Sequence, residues 1–144
     1  MTRDIVRCPD YSGLNIPGAL FERMLAHCRE SYPDEACGLL AGAGDRVTFL
    51  FEMTNTEASP VSYFMDPKEQ FRAMKEMREK GLQLVGIFHS HPQSPAYPSP
   101  TDVSLACYDE AVYIIVSLVE RERPEVKAFS IVAGKIEEVA LFVG

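Results

Sequence analysis

Two histidines one residue apart close an apolar run in the segment Gly86-Ile87-Phe88-His89-Ser90-His91-Pro92. On an extended backbone, residues two apart point to the same side with Cα atoms about 6.5 Å apart. Two imidazoles placed so can converge on one ion at zinc–nitrogen distances of about 2.0–2.1 Å. Both histidines are expected where the strand ends and a loop begins, which would put a metal at the sheet's edge, open to substrate. A bare His-x-His is also a common surface accident. Asp102 alters that balance. It stands just inside a short helix opened by Ser99-Pro100-Thr101-Asp102, where a carboxylate offers a hard third ligand and leaves a fourth position for water. Ser99 and Asp102 also have a plain explanation, since Ser99 suits an N-cap, Pro100 a first turn and Asp102 the positive end of the helix dipole. The two accounts are compatible, because one helix start can do the capping and aim Asp102 at an ion.

Hydrolysis at such a site needs a group to take a proton from water whose pKa the metal lowers towards about 7. Glu35, just before the apolar run Cys37–Ala41, is the candidate. On its own, a glutamate in such a loop is an ordinary solvated residue. His27, beside the apolar face of the first helix, is read as structural or surface.

The elements that must position these residues follow from hydrophobic spacing. Leu20, Phe21, Met24, Leu25 and Cys28 recur on one face and predict a helix from Pro17 to about Ser31. Lys68–Lys80 predicts a second helix with Phe71, Met74 and Met77 on its apolar side and Gly81 as its stop. Strands are expected at Cys37–Ala41, Val47–Met53, Leu82–Phe88, Val112–Val119, Val126–Val132 and Ile136–Val143, with Val61–Met65 as a short edge strand. A polar loop spans Thr54–Pro60, a proline-rich loop spans Pro92–Pro98, and residues 1–15 are expected to be irregular. Helices alternating with strands in this way predict an α/β domain, a mixed central sheet flanked by helices.

With 144 residues, the chain fits a single domain, and a formal net charge of −7 disfavours nucleic acid or an anionic membrane as partner. Four scattered cysteines form no C-x-x-C pair, which suits reduced thiols and a cytoplasmic setting. No apolar run reaches the length of a signal peptide or membrane span. Nothing in the sequence sets an oligomeric state.

Taken together, His89-Ser90-His91-Pro92, then six residues, Ser99, two residues and Asp102 resemble the JAMM (MPN-plus) zinc metalloproteases. The setting Glu35-Ala36-Cys37-Gly38-Leu39-Leu40-Ala41-Gly42 also resembles theirs, and the likeness spans residues 15–143. It implies a cytidine-deaminase-like α/β/α fold and one Zn²⁺ on His89, His91 and Asp102. Glu35 would then activate water, and Ser99 would hydrogen-bond the oxyanion, a contribution of roughly 2.7–4 kcal/mol where measured elsewhere. No part of the motif is missing, so an inactive, metal-free relative is not expected. The H-x-E and P-C-x-x-C of zinc deaminases and the H-E-x-x-H of other zinc proteases are absent.

The resemblance implies cleavage of peptide or isopeptide bonds after the diglycine tail of ubiquitin or ubiquitin-like proteins. Short connections favour the compact prokaryotic type, which processes sulfur-carrier proteins. An extended tail would add a strand beside Val61–Met65. Two other readings stand beside this one: a zinc amidohydrolase acting on a small peptide or cysteine conjugate, and a non-catalytic scaffold with structural zinc.

Overall fold

The computed structural model describes residues 13–144, and the irregular N-terminal segment expected from the sequence falls outside it up to residue 12. Its last part is not irregular: Leu14–Ile16 forms a strand, β1. Three residues carry little periodicity, but Leu14 and Ile16 are buried and the strand pairs in parallel with two others.

Helix α1 (Gly18–Ser31) follows, with Pro17 at its N-cap and Met24, Leu25 and Cys28 buried, as their spacing predicts. Strands β2 (Cys37–Ala43) and β3 (Arg46–Met53) form an antiparallel hairpin. Helix α2 (Pro67–Glu79) is capped by Asp66, whose carboxylate accepts from the Lys68 N–H at 2.8 Å. Its buried stripe is Ala73 and Met77, whereas Phe71, expected on that side, is 67% exposed. The three-residue steps from 71 to 74 to 77 drift round a helix by about 60° each, so Phe71 leaves the stripe that the 73–77 pair defines. Strand β4 (Gln83–His91), helix α3 (Pro100–Leu105), β5 (Val112–Ser117) and β6 (Glu125–Val132) complete the middle of the domain.

The expected final strand divides at Ala140 into β7 (Lys135–Val139) and β8 (Leu141–Val143). All eight strands form one mixed sheet in the order β7-β6-β5-β4-β2-β3-β1-β8. Its two edge strands are therefore consecutive in the chain, one residue apart. A flat sheet of this width cannot satisfy that, so the sheet curls until its edges meet at Ala140. Gly13 closes the seam: the Leu14 N–H donates to the Ala140 carbonyl at 2.9 Å, and a Cβ at Gly13 (φ +141°) would overlap that carbonyl.

Helices cover both faces. On the α1 side, Met24 and Cys28 pack with Leu40, Phe88 and Ile114; on the α2 side, Ala73 and Met77 pack with Leu39, Ile87 and Ile115. The α/β architecture with a flanked mixed sheet agrees with the sequence, while the name cytidine-deaminase-like stays an expectation of the resemblance. Val61–Met65 is not a strand. Only Met65 makes a bridge, to Asn55, because the Asn55 side chain takes the bonds a ladder would use at Ser62 and Phe64. No helix among the described residues is long and apolar enough to cross a membrane.

Candidate metal centre

Strand β4 runs between β2 and β5, in register Cys37↔His89 on one side and His89↔Ile115, His91↔Ser117 on the other. The strand runs past Phe88, where the sequence predicts its end, and stops at His91, so the histidines are the last paired residues of a strand interior to the sheet and the loop begins after them. Pairing continues through them: the Ser90 N–H donates to the Ala36 carbonyl and the Leu118 N–H to the His91 carbonyl, both at 3.0 Å. Alternation then points both imidazoles to the α2 side of the sheet, the side of Ile87 and Ile115. His89 and His91 are 2% and 4% exposed.

Helix α3 brings the carboxylate. Ser99 is its N-cap and forms a capping box, its Oγ accepting from the Asp102 N–H at 3.0 Å and its own N–H donating to Asp102 Oδ2 at 2.9 Å. That reciprocal pair fixes the Asp102 rotamer. Oδ2 then stands 3.2 Å from His89 Nε2 and 3.0 Å from His91 Nε2, and the two Nε2 atoms are 3.1 Å apart. Among the described residues this is the group whose donor atoms lie close enough to share an ion.

The protonation pattern shows what this triangle requires. His91 Nδ1 faces the Pro95 carbonyl at 2.9 Å, and a carbonyl only accepts, so Nδ1 carries the proton and the neutral ring presents a lone pair at Nε2. That lone pair confronts a carboxylate oxygen and a second imidazole. Burial would raise the Asp102 carboxyl, but wherever His89 and His91 carry a proton at Nε2 their hydrogen bonds hold it far below the usual carboxylate range. Burial pushes His89 down, whereas at His91 burial is outweighed by its bonds to Asp102 and Pro95, which raise it. Three electron-rich atoms this close need a positive charge among them, either protons or a cation. Tetrahedral ligands at about 2.0–2.1 Å from zinc stand roughly 3.3–3.4 Å from one another, so edges of 3.0–3.2 Å fit that ion with only a slight opening.

Glu35 reaches the same place from the segment just ahead of β2. The Ala36 N–H donates to Ser90 Oγ at 2.8 Å, which sets residue 35 at the level of His91 across the ladder. The residue is 4% exposed, and Oε1 has no hydrogen-bond partner among the described residues. Burial, with help from Asp102 and Glu57 and against the pull of His91, pushes its carboxyl up from 4.5 to about 8. A buried carboxyl with a free oxygen and a pKa in this range is suited to moving protons near neutrality.

The structure thus brings together all five residues singled out from the sequence: His89, His91, Asp102, Ser99 and Glu35. His27 takes no part, its Nε2 lying 3.1 and 3.2 Å from the Cys37 and Met53 carbonyls across the β2–β3 pair. Two contributors gave no sequence signal. The Asn55 side chain bonds the Glu35 and Ser62 carbonyls and the Glu57 and Phe64 N–H groups, at 3.0–3.1 Å. Tyr63 stacks on His89 with ring centroids 4.7 Å apart. An asparagine in a polar loop and a tyrosine in an apolar run look ordinary until folding sets them beside the cluster.

A mixed sheet flanked by helices is the fold this chain shares with its structural neighbours. Its nearness in space to the solution structure of a Desulfitobacterium hafniense protein is expressed by a TM-score of 0.82, at 39% identity over 91% of this chain and 92% of that one. The chain belongs to the Prok-JAB family, the prokaryotic homologs of the JAB domain, whose profile matches residues 17–132; this is the stand-alone prokaryotic branch of the JAMM/MPN proteins. It is 42% identical over 127 residues to the CysO-cysteine peptidase of Mycobacterium tuberculosis, covering 87% of each chain. It is 36% identical over 140 residues to a probable TtuB-protein conjugate cleaving protease of Thermus thermophilus, covering 94% of this chain and 88% of that one.

Proposed function

We propose that the protein is a zinc-dependent peptidase that cleaves the peptide or isopeptide bond after the C-terminal tail of a ubiquitin-like, sulfur-carrier-type protein. The observation that carries this reading is the meeting of His89 Nε2, His91 Nε2 and Asp102 Oδ2 within 3.2 Å, near buried Glu35, whose Oε1 has no partner among the described residues. A structural zinc is usually closed by four protein ligands, whereas three with a proton acceptor alongside suit catalysis. The names of the two relatives, one a peptidase for CysO-cysteine and one a cleaving protease for TtuB-protein conjugates, support a conjugate-cleaving role.

In this reading His89, His91 and Asp102 hold one Zn²⁺. When bound, the ion supplies Lewis acidity, polarising the scissile carbonyl and acidifying water. Glu35 takes the proton from the attacking water as its oxygen joins the carbonyl carbon. It then delivers that proton to the leaving nitrogen as the C–N bond breaks. Ser99 Oγ already accepts from the Asp102 N–H, so its hydroxyl hydrogen is free to stabilise the developing oxyanion. The capping box gives Ser99 a second task, since its N–H neutralises part of the charge on Asp102 Oδ2. A cytoplasmic setting belongs to the same proposal.

The approaching tail has one open backbone edge near the site. Residues 54–56 occupy the Phe64 and Ser62 groups, while the N–H and C=O of Tyr63, pointing the other way, have no partner among the described residues. Main-chain pairing of an extended diglycine tail at Tyr63 would admit glycines where side chains would collide. Added to the Glu35→Gln variant, a tailed substrate should slow hydrogen exchange at the Tyr63 amide. Unchanged exchange, with substrate bound, would move the docking elsewhere.

Incubating the zinc-loaded protein with a sulfur-carrier protein bearing a C-terminal extension tests the function, read by intact mass. The expected result is release of the extension at the diglycine, lost in Glu35→Gln. Hydrolysis of short unrelated peptides with the fusion left intact would point instead to a small-molecule amidohydrolase.

A further inference from the structure

The two imidazoles of the cluster are held in different ways. His91 gives its Nδ1–H to the Pro95 carbonyl at 2.9 Å, the outer bond by which ligand histidines generally fix their tautomer and ring plane. His89 has no counterpart, because its Nδ1 is buried and meets no hydrogen-bond partner among the described residues. The terminal torsion of an imidazole is broad and soft. Without an outer bond, rotation about it would swing Nε2 away from Asp102 Oδ2 and His91 Nε2, which it faces at 3.2 and 3.1 Å.

An aromatic ring stands where that bond is missing. Tyr63 lies over His89 with centroids 4.7 Å apart and planes inclined by only 28°. His91 meets the same imidazole nearer to edge-on, at 4.9 Å and 64°, so the stacking surface comes from Tyr63. Tyr63 sits outside every helix and strand and needs its own anchor. Asn55 supplies one on each side of it, donating from Nδ2 to the Ser62 carbonyl at 3.0 Å and accepting at Oδ1 from the Phe64 N–H at 3.1 Å. The Tyr63 hydroxyl, by contrast, makes no hydrogen bond among the described residues.

We infer that Tyr63 is a positioning residue whose ring fixes the plane of the His89 imidazole in place of the outer hydrogen bond that His89 lacks, with Asn55 setting the ring over it. The inference rests on the zinc reading of the cluster. It makes the face of the tyrosine, not its hydroxyl, the working part. Removing the ring therefore weakens the metal site, and removing only the hydroxyl leaves it unchanged. Ring stacking of this kind contributes enough to predict zinc binding roughly two- to tenfold weaker on its loss.

The test is the zinc dissociation constant of the whole chain, measured by competition with a chromophoric chelator, for wild type, Tyr63→Leu, Tyr63→Phe and Asn55→Ala. Circular dichroism of each metal-free variant reads folding separately. The expected result is weakened binding in Tyr63→Leu and Asn55→Ala, with Tyr63→Phe matching wild type. Should Tyr63→Leu fail to fold, Asn55→Ala carries the same comparison, since it keeps the ring and removes its anchor, while the Glu35 and Glu57 bonds lost with it lie outside the three ligands. Equal affinity in folded Tyr63→Leu and wild type would overturn the inference alone. So would equal weakening by Phe and Leu, which would assign the effect to the hydroxyl. A wild type that binds no zinc would overturn the zinc reading, and this inference with it.

Discussion

Glu35 and the His89–His91–Asp102 cluster make opposite demands on the protein. The cluster gathers electron-rich atoms that call for a positive charge, while the Glu35 carboxyl is buried where its own negative charge is disfavoured. Burial raises that carboxyl from 4.5 to about 8, so the folded, metal-free chain favours the protonated acid while the unfolded chain ionises near the ordinary value. The resulting stability is complete below pH 4.5 and is lost as pH rises through 8. Urea titrations of the metal-free protein should therefore show wild type losing more stability over this window than Glu35→Gln, which does not titrate. Parallel curves would mean that Glu35 is solvated after all. In the zinc-loaded enzyme the same substitution should lower kcat by about 10²–10⁴, the usual worth of a general acid–base group, with zinc content unchanged. A loss of zinc from Glu35→Gln would instead make Glu35 part of the metal site.

Among the elements, β2 and β4 carry most of the constraint. The glutamate sits just ahead of β2 and the histidines on β4, so the depth of Glu35 beside His91 depends on the Cys37↔His89 register. Gly38 permits this pairing, because a Cβ there would overlap the Phe88 ring and the Phe51 carbonyl. Gly38→Ala should destabilise the fold by about 1–3 kcal/mol, in line with overpacking elsewhere, seen as a lower urea midpoint. A neutral result would show that Phe88 has room to move. Much at this scale was legible in the sequence. Periodicity marks α1 and α2, β-branched runs mark β5 and β6, and Ser99-Pro100-Thr101-Asp102 announces the cap of α3. The spacing of His89, His91, Ser99 and Asp102 also foretold which residues would meet. What stayed hidden depended on partners distant in sequence. Leu14–Ile16 is a strand only because β3 and β8 flank it. Val61–Met65 has strand-like composition, but the Asn55 side chain takes its bonds. The strand looked as if it stopped at Phe88 because the apolar run stops there, although pairing with β5 continues to His91.

The molecule as a whole curls its sheet until β7 and β8 meet at Ala140, with α1 packed on one face and the cluster on the other. Asp102 joins the histidines across a loop, so a bound ion ties β4 to α3 and stabilises the folded state by linkage. At zinc concentrations a hundredfold above the dissociation constant that amounts to about 2.7 kcal/mol, several degrees of Tm for a chain of this length. Chelation should remove the shift from wild type. His91→Ala should show no shift with or without zinc. A zinc-dependent Tm that survives His91→Ala would locate the ion elsewhere, and Cys107, exposed on the surface, would be the first alternative to check.

X-ray absorption at the zinc K-edge of the loaded protein reads directly whether His89, His91 and Asp102 hold the ion. The expected spectrum has nitrogen and oxygen neighbours at about 2.0–2.1 Å, two of them imidazoles, and no sulfur. A sulfur shell near about 2.3 Å, or a first shell without imidazole scattering, would contradict it.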